Sequence, residues 1–123
     1  MTKSNARTNR KRLQVETLRK GGYFVVRVLD DDPGERGDLT ELLSIVRRAI
    51  NGGDENVAVV FTRSAYLYTR SIAALIRCYA MIDDAGGVFA VVAPNPHLMH
   101  AIELAGIHTV VKTFTSEEQL TRP

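Results

Sequence analysis

Apolar residues recur along this chain with two different periods, and each change of period marks an element boundary. The segment LQVETLRK, residues 13–20, alternates loosely at Leu13, Val15 and Leu18, as an edge strand does. YFVVRVL, residues 23–29, is β-branched and aromatic and predicts a second strand. Gly21-Gly22 between them predicts a hairpin turn. After the turn-rich DDDPGERGD, Asp30 to Asp38, the period lengthens: Leu39, Leu42, Leu43, Val46 and Ile50 follow at helical spacing. Asp38 and Glu41 have capping-box spacing, and Gly52 or Gly53 supplies a left-handed stop. NVAVVFT, residues 56–62, is a nearly continuous apolar run suited to a central strand covered on both faces. The next helix is expected at Thr69 to Asp84, ended by Gly86-Gly87. VFAVVA, residues 88–93, is another buried strand. Asn95-Pro96 reads as a cap with proline in the first helical position, opening a short helix stopped by Gly106. That helix directs Leu98, Ile102 and Leu104 or Ala105 inward. HTVVKTF predicts a last short strand, and SEEQL a terminal helix capped by Ser116. The order ββαβαβαβα implies an α/β fold: a mixed, mostly parallel sheet with an initial hairpin, packed against helices.

The stretch LYTRSIAALIRCYAMI, residues 67–82, breaks the usual pattern of a surface helix. Three hydroxyl residues, Tyr68, Thr69 and Ser71, gather at its start, and Arg77 is the one charge beyond Arg70. Ile72, Leu75, Ile76, Tyr79 and Ile82 or Asp83 trace one face, which is expected to lie on the sheet. Ala73, Ala74, Ala80 and Met81 then point partly outward. Either they meet another protein, as small residues and methionine suit adaptable contact, or a neighbouring helix covers them. Thr69 stands where unpaired N–H groups and the positive end of the helix dipole converge. It is either a cap alone or a cap that can be switched by phosphorylation.

Composition narrows the function classes. At 123 residues the chain is one domain with room for a modest core. A formal net charge of +2 conceals an asymmetry: residues 1–20 carry seven lysines and arginines against Glu16, a net of +6, and the remainder is net −4. The basicity belongs to an arm, residues 1–12, expected to be disordered, ahead of a domain at 13–120. The arm has no aromatic residue to stack on a base, so specific nucleic-acid binding is not expected. The single cysteine suits a reducing, cytoplasmic location, and no apolar run is long enough for membrane insertion.

Candidate chemistry is sparse. No glycine-rich phosphate loop follows a strand. Cys78 lies inside an apolar helical run and reads as a small core residue. His97 and His100, with Glu103 or His108, have spacing a metal could use, but a partly exposed helix that happens to carry histidines is the simpler account and the one expected. Asp30-Asp31-Asp32 lacks the spaced ligands of a calcium loop, and no serine has a nucleophile-elbow context. No enzyme activity, metal or cofactor is expected.

From NVAVVF through LYTRSIAALIRCYAMIDDAGGVFAVVAPNPHLMHAIELAGIHTVVKTFTSEEQL the chain resembles a STAS domain. This is the family of anti-sigma-factor antagonists and of the scaffold and switch proteins of the stressosome. The resemblance runs over about residues 13 to 120 and is most specific from the helix and Gly86-Gly87 through the VAPNP turn to LAGI. It implies a non-enzymatic regulatory domain that binds an anti-sigma factor, a switch serine/threonine kinase or other STAS proteins, homo-oligomers included. Aligning on IAAL places the family's phosphorylated position at Thr69, with Ser71 a second candidate. Tyr68 stands where an Asp usually precedes that position, Val60 where an Asp or Asn often ends the central strand, and Arg70-Ser71 where Ser-Gly is common. The partner interface implied by this placement comprises Tyr68, Arg70, Ala73, Ala74, Arg77 and Met81. The alternative is a STAS scaffold without phosphorylation, or a small subunit of a transport complex.

Overall fold

A computed structural model describes residues 13–30, 39 and 41–121. The basic arm, most of the acidic loop after Asp30, and Asp38 with its expected cap lie outside the described residues. Strand β1, Val15–Lys20, turns through Gly21 and Gly22 into β2, Tyr23–Val28. Both glycines have positive φ, 63° and 91°, the backbone that a two-residue hairpin with right-handed twist requires. Helix α1, Glu41–Asn51, places Glu41 in its first turn and Arg48 in its last, each complementary to the helix dipole. The Glu41 carboxylate also accepts the Leu13 N–H at 2.7 Å, tying the start of β1 to the start of α1. Strand β3, Val57–Val60, leads to α2, Thr69–Asp84, with the boundaries expected from the sequence. Strand β4, Phe89–Val92, α3, Pro96–Leu104, and β5, Lys112–Phe114, complete the chain of elements.

The strands lie in the order β1-β2-β3-β4-β5. β1 and β2 are antiparallel, and β2 through β5 are parallel. Each parallel crossover advances one place in the same direction. Right-handed crossovers of that kind put their helices on one face of the sheet. The main core accordingly joins Val26, Val28, Val57, Val59, Phe89 and Val91 to α1 through Leu42 and Val46, to α2 through Leu75, Cys78 and Ile82, and to α3 through Leu98 and Ile102. The opposite face carries Tyr23, Val25, Ala58, Ala90 and Val92, joined by Leu120. Val57, Ala58 and Val59 are all buried, so β3 is covered on both faces, as its unbroken apolar run predicts.

Four local expectations are corrected. HTVVKTF is not strand throughout: Ile107–Thr109 forms a 3-10 turn and only Lys112–Phe114 pairs with β4. The terminal SEEQL is a single 3-10 turn, Glu117–Gln119, although Ser116 and Gln119 do form the reciprocal capping pair. Leu104 and Ala105 face solvent, Leu104 at 76% exposure. The chain reverses at Gly106, φ 76°, and Ile107 fills the core place instead. Finally, α2 is rotated by about one residue from its predicted orientation. Ser71, Ala74, Leu75, Cys78 and Ile82 face inward, and Ile76 is 46% exposed. Small side chains at 71, 74 and 78 let the helix sit close to the sheet. The larger Ile72 and Tyr79 pack at its flanks, half-buried. Among the described residues, no helix is long and apolar enough to cross a membrane.

Candidate functional site

The loop between β3 and α2 presents Thr69, and three apolar residues hold that loop down. Phe61, Ala65 and Leu67 are buried in the main core, while Tyr66 between them stands out at 55% exposure. The rings of Tyr66 and Tyr68 meet edge-on, 4.8 Å apart at 72°. A second constraint comes from the β4–α3 turn. The Asn95 side-chain amide donates to the carbonyls of Arg63 at 2.9 Å and Ala65 at 3.0 Å. Its oxygen accepts the Leu98 N–H at 2.7 Å, capping α3. One side chain thus locks two adjacent turns at the same end of the sheet. The sequence identifies Asn95 as a cap; its hold on residues 63 and 65 has no local signature.

Tyr68 occupies the N-cap position of α2 in extended backbone, φ −93° and ψ 166°, and supplies no side-chain cap bond. Thr69 is the first helical residue and exposed, so its expected role as a cap is corrected: it stands one place inside. The Tyr68 carbonyl accepts the N–H groups of Ser71 at 2.9 Å and Ile72 at 3.1 Å. No acidic residue stands in the first turn, so an anion at Thr69 would meet the positive helix end without a like charge from that turn.

The remaining candidates divide by burial. Arg70, Ala73 and Arg77 are exposed, and with Ile76 and Ala80 they extend from Thr69 as a continuous stripe along α2. Ala74 is expected on this outer face but is only 2% exposed and belongs to the core. Ser71 is completely buried, and its hydroxyl has no hydrogen-bond partner. Met81 is half-buried, its sulfur 3.6 Å from the guanidinium of Arg47 on α1. A neighbouring helix therefore partly covers Met81, whereas Ala73 and Ala80 stay open.

Cys78 lies on the inner face of α2, and burial pushes its thiol up to about 12 against the small opposing effect of Arg77. The thiolate is the reactive form, so the native protein should resist iodoacetamide at pH 8 and label one equivalent after unfolding in urea. Mass spectrometry of the two samples checks this, and rapid labelling of the native protein would contradict the packing. His97, His100, Glu103 and His108 are exposed, and no group of three metal-ligating side chains gathers among the described residues.

No family model matches the sequence, and no curated protein matches it significantly. Solved structures do match the fold. A STAS-domain anti-sigma-factor antagonist protein from Planctomyces limnophilus aligns with TM-score 0.68 and 14% identity, over 85% of this chain and 92% of that one. TM1081 of Thermotoga maritima, assigned as an anti-sigma-factor antagonist, aligns with TM-score 0.63 and 16% identity, over 87% and 89%. The Bacillus cell-fate determinant SpoIIAA, in its phosphorylated form, aligns with TM-score 0.56 and 14% identity, over 86% and 94%. The chain has the STAS fold: a hairpin followed by parallel strands with helices between them.

Proposed function

We propose that this protein is a non-enzymatic regulatory domain of the STAS type. In this reading its docking surface is the N-terminal end of α2 with the exposed stripe behind it, and phosphorylation of Thr69 by a partner serine/threonine kinase controls docking. The observation that carries this reading is the placement of Thr69: exposed, at the first position of a 16-residue helix, with no acidic residue in the first turn. The similar structures favour it, since they include anti-sigma-factor antagonists and a phosphorylated protein. The partner is an anti-sigma factor, a switch kinase or another STAS protein.

The mechanism separates folding from binding. A phosphate adds roughly 1.5 to 2 negative charges at neutral pH, and the helix N-terminus tolerates them. Ile76, flanked by Ala73 and Ala80, offers an apolar strip a partner can cover, and Arg70 and Arg77 offer cations beside it. A partner already packed over Thr69 would have to bury the new charge, which carries a desolvation cost. Ser71 is the weaker candidate. Its hydroxyl is sealed under the first turn, so a kinase would have to open that turn to reach it.

Three variants and one labelling experiment test this. Incubation with ATP and the kinases of a host extract should phosphorylate Thr69, and Thr69→Ala should abolish the label. Thr69→Glu should leave the melting temperature within about 3 °C, as surface changes do, while partner affinity falls at least tenfold, about 1.4 kcal/mol. Ile76→Glu should weaken the same partner without affecting labelling. Absence of label at Thr69, together with unchanged binding by Thr69→Glu, would leave the scaffold reading standing instead.

A further inference from the structure

At the far edge of the sheet, β1 has β2 on one side and no described strand on the other. The Leu29 N–H donates to the Gln14 carbonyl at 2.8 Å, and the ladder pairs Val15 with Val28 through Lys20 with Tyr23. In an antiparallel pair this register turns the N–H and C=O groups of Glu16, Leu18 and Lys20 toward β2. Those of Val15, Thr17 and Arg19 point away, toward the open edge. Such an edge is a template for another strand unless charges guard it. β1 carries three charges, Glu16, Arg19 and Lys20, and their order determines what they repel.

A second copy of β1 laid antiparallel against the first must oppose residues on the same sheet face, so a two-fold axis has to pass through a residue of the strand. Centred on Glu16 or Arg19, it sets two like charges directly opposite each other. Centred on Thr17, it sets Glu16 against Leu18 and leaves the charges unmatched. Centred on Leu18, it sets Glu16 against Lys20 of the second copy and Lys20 against its Glu16, with the two leucines facing between them. In that register Thr17 and Arg19 exchange the outward backbone hydrogen bonds. The Leu18 and Glu16–Lys20 pairs fall in the non-hydrogen-bonded positions, where opposed side chains lie closest.

The charges behind the edge continue the pattern. Within one chain Arg27 bonds Glu16 at 3.2 Å, and both Arg27, at 2.7 Å, and Lys20, at 3.1 Å, bond Glu117. Pairing through Leu18 joins the end of one such series, Glu16, to the end of the other, Lys20. The two copies then carry a closed circuit in which positive and negative groups alternate throughout. We propose that this protein associates with a second copy of itself through antiparallel pairing of β1 about Leu18, joining two five-stranded sheets into one. The inference does not rest on the reading of Thr69, which lies on another element.

Sedimentation of the full chain between about 1 and 500 μM tests it, with cross-strand pairing and charge order as the readouts. The wild type should shift from monomer to dimer with concentration. Thr17→Pro removes an N–H that faces the open edge and serves no bond among the described residues, a position where an edge strand tolerates proline. It should raise the dimer dissociation constant at least tenfold while circular dichroism shows an unchanged fold. Glu16→Lys and Lys20→Glu should each weaken self-association alone, yet an equimolar mixture of the two should form the mixed dimer, since both cross-strand pairs are then opposite in sign. A wild type that stays monomeric at every concentration, or a dimer that Thr17→Pro leaves intact, overturns the proposal. A mixture that fails to associate overturns the register.

Discussion

Asn95→Ala is expected to lower the stability of the domain by about 2–4 kcal/mol, from about 1 kcal/mol for the lost cap and 0.5–1.5 for each lost amide bond. For a domain of this size the fall in melting temperature is on the order of 10 °C. The cause is local and separable. Asn95→Asp keeps an acceptor for the Leu98 N–H but turns a carboxylate toward the Arg63 and Ala65 carbonyls. It should therefore retain the cap and lose the clamp. Amide hydrogen exchange distinguishes the two: Leu98 should lose protection in the alanine variant only, and the loop from Phe61 to Tyr68 in both. If loop exchange is unchanged in both variants, the buried Phe61, Ala65 and Leu67 suffice to position Thr69. A functional corollary follows under the proposed mechanism, because a loosened loop presents Thr69 in many geometries and partner affinity should drop in Asn95→Asp although the phosphorylatable residue is intact.

Glu117→Gln should cost about 1.5–3 kcal/mol, the range for charge-assisted hydrogen bonds. Arg27 grips both oxygens of Glu117, Nε at 2.9 Å and Nη2 at 2.7 Å, and Lys20 adds a contact at 3.1 Å. These bonds hold the turn at Glu117–Gln119 against the β1–β2 hairpin, so that Leu120 covers the second face of the sheet. The hairpin and the chain at Leu120 approach so closely that a side chain at Gly21 would meet the Leu120 carbonyl. The Arg27 hydrogen bond is the largest influence on the Glu117 carboxyl. Burial opposes it, Lys20 assists it, and the result is a value of about 2 instead of 4.5. A folded-state value below the unfolded one stabilises the protein above the unfolded value, and that contribution is lost as pH falls from about 4.5 toward 2. Urea denaturation of wild type and variant at pH 7 and pH 3 should show a gap that narrows in acid. A gap that stays constant would mean that the carboxylate contributes by packing and not by charge.

Much of the fold is legible in the chain because it depends on near neighbours. The two periods of apolar residues, the glycine pairs and the Asn95-Pro96 cap follow from backbone sterics and from side chains a few positions apart. Thr69 to Asp84 came out as a helix with its observed limits for that reason. The candidate site is legible in part: Thr69, Arg70, Ala73 and Arg77 emerge on the surface as expected, while Ser71 and Ala74 do not. Whether Ile76 or Ala74 faces the sheet is a matter of rotation by about one residue, roughly 100° of one helix. Both are apolar, so periodicity cannot choose between them. The choice is made by volume, since a stripe of Ser71, Ala74 and Cys78 lets the helix approach the sheet and a stripe through Ile76 would hold it off.

What the sequence determined by itself is the succession of elements and the position of a hydroxyl residue at the start of α2; the stacking of helices on one face follows from the strand order, which only the folded sheet shows. Tertiary structure alone decided which face of α2 is open to a partner. It also decided that Asn95 clamps a loop some 30 residues away and that Glu117 closes on Arg27 across 90 residues of chain. Those contacts have no period and no motif. They depend on where a finished sheet brings distant side chains together, and on the free energy of burying and pairing them there.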